Sequence, residues 1–178
     1  MKHVKVFPGL LILFVLTSLA CGLLNTVANK AVGGDSNMTA VASLWSDVPP
    51  MDGMTTAQQI EMPVWLKALT RPVMDTMMKG LNNGADAGHW DWTAFTLSGK
   101  LPSDVQAFYT PERMSAFSWQ QADSTCVPMT DKGVLCSFTK DEAGKTTGLI
   151  IVAATDDQQK ETSVFFLRAE GVATTPTP

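Results

Sequence analysis

Apolar residues recur at two different periods along this chain. From Thr55 to Gly80 they fall at helical spacing, and Trp65, Leu66, Leu69, Val73, Met74, Met77 and Met78 form one stripe. Lys67, Arg71, Asp75 and Lys79, spaced four apart, form a charged ridge opposite it. Proline removes a backbone donor and clashes with the preceding turn, so Pro63 and Pro72 predict two helices, about 63–69 and 72–81, each with its proline in the first turn. Gly80 and the Asn82–Asn83–Gly84 run supply the stop.

The period then changes to two. Gly88–Gly99, GHWDWTAFTLSG, reads as a strand with His89, Asp91, Thr93, Phe95 and Leu97 on one face and Trp90, Trp92, Ala94 and Thr96 on the other. Helical spacing returns at Val105, Phe108 and Tyr109, with Ser103 or Asp104 as N-cap, breaks at Thr110–Pro111 and resumes over Glu112–Phe117. Three further strands follow, at Ser118–Val127, Val134–Lys140 and Lys145–Thr155, and Glu161–Ala169 closes the series. Leu149, Ile150, Ile151 and Val152 are apolar without alternation, which predicts a central strand buried on both faces. The tail ATTPTP, residues 173–178, lacks core-forming residues and reads as disordered. Together these elements predict an α+β domain over residues 46–170, in which helices cover one face of an antiparallel sheet of about four or five strands. An all-β sandwich is the alternative.

The N-terminus decides the compartment. Lys2, His3 and Lys5 precede an apolar run from Leu10 to Leu16, and Ser18 and Ala20 meet the small-x-small rule for cleavage after Ala20. Phe7–Leu24 contains Pro8, Gly9 and Gly22 and is at the lower limit for crossing a hydrocarbon core of roughly 30 Å, so a cleaved signal is favoured over a permanent span. Cleavage there makes Cys21 the first mature residue, and the segment Ser18–Leu19–Ala20–Cys21 resembles the lipobox of bacterial lipoproteins. The resemblance implies lipid attachment at Cys21, a membrane anchor made of acyl chains, and a cell-envelope location. Residues 21–45, mostly small and polar, read as a tether between that anchor and the domain.

A second resemblance lies further along. Val105, Phe108 and Tyr109 followed by Trp119, with Ser118 where glycine is usual, are similar to the "V-x-x-FY" helix and "GW" of small exported bacterial proteins and lipoproteins of uncharacterised function. There the helix leads into an antiparallel meander. The likeness covers roughly residues 88–170 and implies a fold and an envelope location, but no activity.

Charge narrows the partners. Losing Lys2 and Lys5 with the signal takes the formal charge from −4 to −6, and no basic cluster remains, which argues against nucleic acid and against an anionic membrane surface. Cys126 and Cys136, with turn residues Pro128, Asp131 and Gly133 between them, predict a disulfide in an oxidising compartment. Zinc would need further ligands, and His89 is the one histidine of the mature chain.

Candidate chemistry is sparse. Neighbours on one strand face, His89 and Asp91 could form an oriented imidazole for proton transfer. The methionine-rich helices could offer an adaptable apolar groove or a soft Cu(I) site, or simply fill irregular core gaps. Trp90 and Trp92 read as core, although a partly open ring could stack on a planar ligand. No phosphate loop, nucleophile elbow, metal-ligand cluster or internal repeat is present in the sequence, so no cofactor is expected.

These features favour a non-catalytic lipoprotein, held at the membrane by its lipid, that contacts another envelope protein as an interaction module or accessory subunit. Its predicted binding surface comprises Trp65, Met74, Met77, Met78, His89, Trp90 and Trp92. A binding protein for a small apolar or planar ligand is the second reading, and it requires a cavity of several hundred Å3 between the Met-rich helices and Trp90/Trp92. An enzyme using His89 and Asp91 is the third.

Overall fold

A computed structural model describes residues 38–57, 62–81, 89–121, 126–130, 133–156 and 161–172. The framework is an antiparallel meander of long strands, β6 (Gly133–Glu142), β7 (Lys145–Asp156) and β8 (Glu161–Val172), with β3 (His89–Ser98) added beside β8. The apolar runs of β7 and β8 explain this order. Ile150, Ile151 and Val152 of β7 are fully buried, as are Phe166 and Leu167 of β8, and only interior strands can bury both faces.

Both sides of this framework are capped by short strands. β1 (Met38–Ala40) pairs parallel with Trp90–Trp92 of β3, and β2 (Met54–Thr56) pairs antiparallel with Phe95–Leu97 of the same strand. On the far side, β4 (Gln120–Gln121) and β5 (Val127–Thr130) both pair with β6. The protein is therefore mostly β, with an eight-stranded mixed sheet. This corrects the expected α+β fold with helices on one face of an antiparallel sheet of four or five strands. Strands of two to four residues are too short to display a period, so β1 and β2 were not expected, and the single strand expected over Ser118–Val127 corresponds to β4 and the first residue of β5.

Alternation along the sheet separates two apolar clusters. Leu97, Phe138, Leu149, Ile151, Val164 and Phe166 face one way, under α2 (Pro102–Phe108), α3 (Pro111–Ser115) and the loop that carries Val48 and Met51. Trp90, Ala94, Ile150, Val152, Phe165 and Leu167 face the other way, under α1 (Val64–Leu81), which contributes Leu66 and Val73. Helices thus pack on both faces.

Three local expectations change. α1 runs through Pro72 as one helix, where two were predicted. An interior proline costs roughly 3 kcal/mol, and burial of Leu66, Thr70 and Met62 against the sheet side offsets it. The N-cap of α2 is Leu101, whose N–H donates to the Asp104 carboxylate three residues on, at 2.8 Å. The predicted tether to residue 45 ends earlier, because Met38–Ala40 gains a ladder on β3 and Leu44 and Trp45 pack on the core. The tail from residue 173 lies outside the described residues.

Candidate functional site

The outward face of α1 is the first candidate. Leu66, Thr70 and Val73 turn toward the sheet, and the Thr70 hydroxyl returns to the Leu66 carbonyl at 2.7 Å. That orientation directs Val64, Trp65 and Leu69 to solvent, and Trp65 is 49% exposed. The predicted stripe is thereby corrected: a helix has about 3.6 residues per turn, and seven apolar positions span more arc than one packing face can cover. Ala68 and Pro72 are also exposed, so the outer face carries an apolar band next to Lys67 and Arg71. The predicted contact residues Met74, Met77 and Met78 lie on α1, but their side chains are outside the described residues.

A polar cluster occupies one end of the α2/α3 side of the sheet. Asp47, from the loop after β1, accepts from Arg168 Nη1 at 3.1 and 3.4 Å and from Lys140 Nζ at 3.3 Å. These side chains are 20%, 16% and 9% exposed, respectively. Glu142 contacts Lys140 at 3.0 Å and Glu170 contacts Arg168 at 3.5 Å. The Glu142 contact holds the Lys140 ammonium above its ordinary pKa, burial opposes this, and Asp47 adds to it. Trp45 and Trp119 lie about the Arg168 guanidinium at 5.6 and 6.0 Å, and Trp119 Nε1 donates to the Asp47 carbonyl at 2.7 Å. Each cation already has a carboxylate partner, so the arrangement pins the loop to the sheet.

His89 and Asp91 stand beside this cluster at the start of β3. Their side chains meet at 3.0 Å, as the shared strand face predicts, and both are at least partly open to solvent. Asp91 is in register with Arg168. Among the described residues, no group of three or more His, Cys, Asp and Glu side chains is placed to hold a metal ion.

Trp90 is 7% exposed and packs in the α1-side cluster, with Trp92 partly buried against it. The ring of Trp90 is therefore core, and it is removed from the predicted binding surface. A cavity of about 180 Å3 lies elsewhere, lined by Gln106, Tyr109, Thr110, Pro111, Cys126 and Phe138 among others. Neither α1 nor Trp90 and Trp92 contributes to it. Its volume is below the roughly 300–1,000 Å3 of ligand pockets, so it does not answer to the predicted ligand site.

Cys126 and Cys136 form the disulfide that their spacing predicts, joining the residue before β5 to the middle of β6. Cys21 lies outside the described residues. Among those described, no helix is long and apolar enough to cross a membrane. Sequence reasoning missed Asp47, Lys140 and Arg168, which come together only through the fold. One signal was available: Arg168 interrupts the apolar run of a strand otherwise buried, and a charge there calls for a partner. The chain matches no protein-family model, no curated protein and no solved structure.

Proposed function

We propose that this chain is a non-catalytic cell-envelope lipoprotein, acylated at Cys21, that serves as an accessory subunit at the membrane and makes its contacts through the outward face of α1. The observation that carries this reading is Trp65, half exposed beside Val64 and Leu69 on a helix whose inward face is already satisfied. Large apolar side chains grouped on a surface mark contact sites, and tryptophan is among the residues that contribute most at them. The short-range His89–Asp91 pair and the disulfide need no substrate to account for them. The lipobox-like Ser18–Cys21 segment supports the anchor.

Intact mass of the protein isolated from its native membrane tests the anchor. The expected mass is that of residues 21–178 plus acyl groups, and a bare or unprocessed chain overturns the lipoprotein reading. A photo-crosslinking amino acid placed at position 65 in cells tests the contact face. Adducts are expected at 65 and not at exposed position 112 on α3, which packs on the opposite face of the sheet, and equal labelling at both sites would overturn it.

A further inference from the structure

We propose that the Cys126–Cys136 disulfide is a thiol–disulfide exchange site: the thiolate of a dithiol reductant enters the cavity beside it, attacks Cys126 and, by breaking the bond, releases β5 from β6. The chain is the protein acted on and not the catalyst, and the inference depends neither on the anchor nor on α1.

Access distinguishes the two sulfurs. Cys136, in the middle of β6, is fully buried in the α2/α3-side cluster, whereas Cys126 packs at the margin of that cluster and is partly exposed. The cavity of about 180 Å3 is partly open to solvent and is lined by Cys126, Tyr109, Pro111 and Phe138 but not by Cys136. Cys126 Sγ lies 3.9 Å from the carbonyl oxygen of Tyr109, which sets this sulfur against the cavity wall. A water molecule takes up about 30 Å3 of liquid, so the space is too small for an ordinary ligand and large enough for one thiol-bearing side chain. Exchange rates depend on which sulfur an attacking thiolate can reach. Here the cavity leads to Cys126.

The incoming thiolate forms a bond to Cys126 Sγ, and the Cys126–Cys136 bond breaks with its electron pair on Cys136, which takes a proton from water. Cys136 remains opposite Cys126, because Val127 and Leu135 are the next pair in the ladder, so it can re-form the original bond. Net reduction therefore needs a second thiol on the same reductant. That thiol, as its thiolate, attacks the reductant sulfur of the mixed disulfide, and Cys126 leaves as a thiolate and is protonated. The reductant ends as a disulfide, and two electrons have passed to the cysteine pair.

The bond supplies much of the hold on β5. This strand has four residues and pairs only with β6. Pro128 has no N–H to give to the ladder, and the register shifts between Pro128 and Thr130. Val127 and Pro128 are exposed, while Met129 packs on the sheet over Gly133. A strand with so few contacts opens locally at low cost once the crosslink is cut.

The test uses the full-length folded protein, with thiols alkylated after an acid quench and located by peptide mass, so that Cys21 is scored separately. 2-Mercaptoethanol should give a mixed disulfide on Cys126 with Cys136 free. Dithiothreitol at the same thiol concentration should reduce the pair completely, at a rate proportional to its concentration. Gln106 lines the cavity, is exposed, and donates to the Cys126 carbonyl at 3.4 Å. Gln106→Trp, which fills the cavity mouth, should slow reduction by roughly tenfold or more, whereas Gln106→Ala, which loses only the hydrogen bond, should not. Urea midpoints of the oxidised variants check that both fold, and if Gln106→Trp does not, the location of the wild-type mixed disulfide decides. Three results would overturn the exchange site: a mixed disulfide on Cys136, equal rates for wild type and Gln106→Trp, or a rate independent of dithiothreitol concentration, the mark of reaction through global unfolding. Hydrogen exchange before and after reduction tests the release. Amides of β5 and of residues 133–137 in β6 should lose protection while β7 and β8 keep theirs, and unchanged protection in β5 would overturn the release.

Discussion

Arg168 Nη1 donates to both carboxylate oxygens of Asp47, 121 residues away in the chain. The pair joins the loop after β1 to an interior strand, and it does so across the face of the sheet on which Leu149 is fully buried. Lys140 of β6 reaches the same carboxylate. One loop side chain therefore fastens two strands that are not neighbours, while Trp119 Nε1 and the Tyr109 hydroxyl hold the loop backbone at Asp47 and Pro49. The loop acts as part of the core and not as a connection over it.

Asp47→Asn should accordingly be costly. Both cations would keep their places in a largely dry corner with half the compensation removed, and leaving a mostly buried charge short of its partner costs roughly 2–4 kcal/mol. The expected outcome is a lower urea midpoint with an unchanged slope. The Arg168→Gln change in the Asp47→Asn background should cost less than it does alone, because the two residues act on one contact. Additive losses would show that the pair is not coupled.

Alkaline pH should weaken the fold from a second direction. Tyr109 is buried, and burial raises its phenol pKa well above the ordinary value near 10. The native state keeps the proton where the unfolded chain releases it, so stability is full below about pH 10 and falls as pH rises past it. Lys140, also raised, contributes in the same sense. The chain holds a single tyrosine, so absorbance at 295 nm reports Tyr109 alone. The phenolate signal should appear only together with unfolding. A free titration near pH 10 in the folded protein would contradict its burial against the Pro49 carbonyl.

How far the sequence reveals this protein depends on the length of each signal. β7 was legible as a central strand, since Leu149–Val152 can be apolar throughout only if both faces are covered. The Cys126–Cys136 pairing and the His89–Asp91 contact were also legible, because both depend on local spacing. The edge strands β1 and β2 were not, because their pairing comes from the partner strand and not from their own pattern, and the strand expected over Ser118–Val127 located β4 but only the first residue of β5. The orientation of α1 was half legible. Its stripe was visible, but which part of it packs was decided by the sheet, which accepts Leu66 and Val73 and leaves Trp65 outside. The Asp47 cluster was hidden by sequence distance.

Reducing the disulfide should destabilise the domain without dismantling the meander. The bridge closes a short loop between β5 and β6, with a sequence separation of 10, and the loop-entropy model assigns such a closure about 2–3 kcal/mol. The ladders β6–β7 and β7–β8 do not depend on it. Thermal unfolding with and without reductant, with alkylation to confirm two thiols, should show a lower midpoint and an unchanged far-ultraviolet spectrum. An unchanged midpoint would mean that the unfolded chain is already restrained there.

Ser118→Gly should stabilise the protein. After α3 the chain turns sharply, with the Trp119 N–H donating to the Met114 carbonyl at 3.1 Å, and Ser118 adopts φ 66° to allow it. A residue with a Cβ pays for that left-handed conformation, and glycine is the usual choice at a helix C-terminus. The exposed serine side chain makes no packing contribution to the core that the change would forfeit. A gain of roughly 0.5–1 kcal/mol is expected once the added flexibility of the unfolded chain is set against the relieved strain. Ala143, at φ 49° in the tight turn before Gly144, offers an internal comparison. Ala143→Asn should give a gain of similar size, because asparagine before glycine suits a turn in which both central residues have positive φ. Chemical denaturation of the two variants reads both effects. If Ser118→Gly lowers stability while Ala143→Asn raises it, the serine hydroxyl contributes at the α3 terminus.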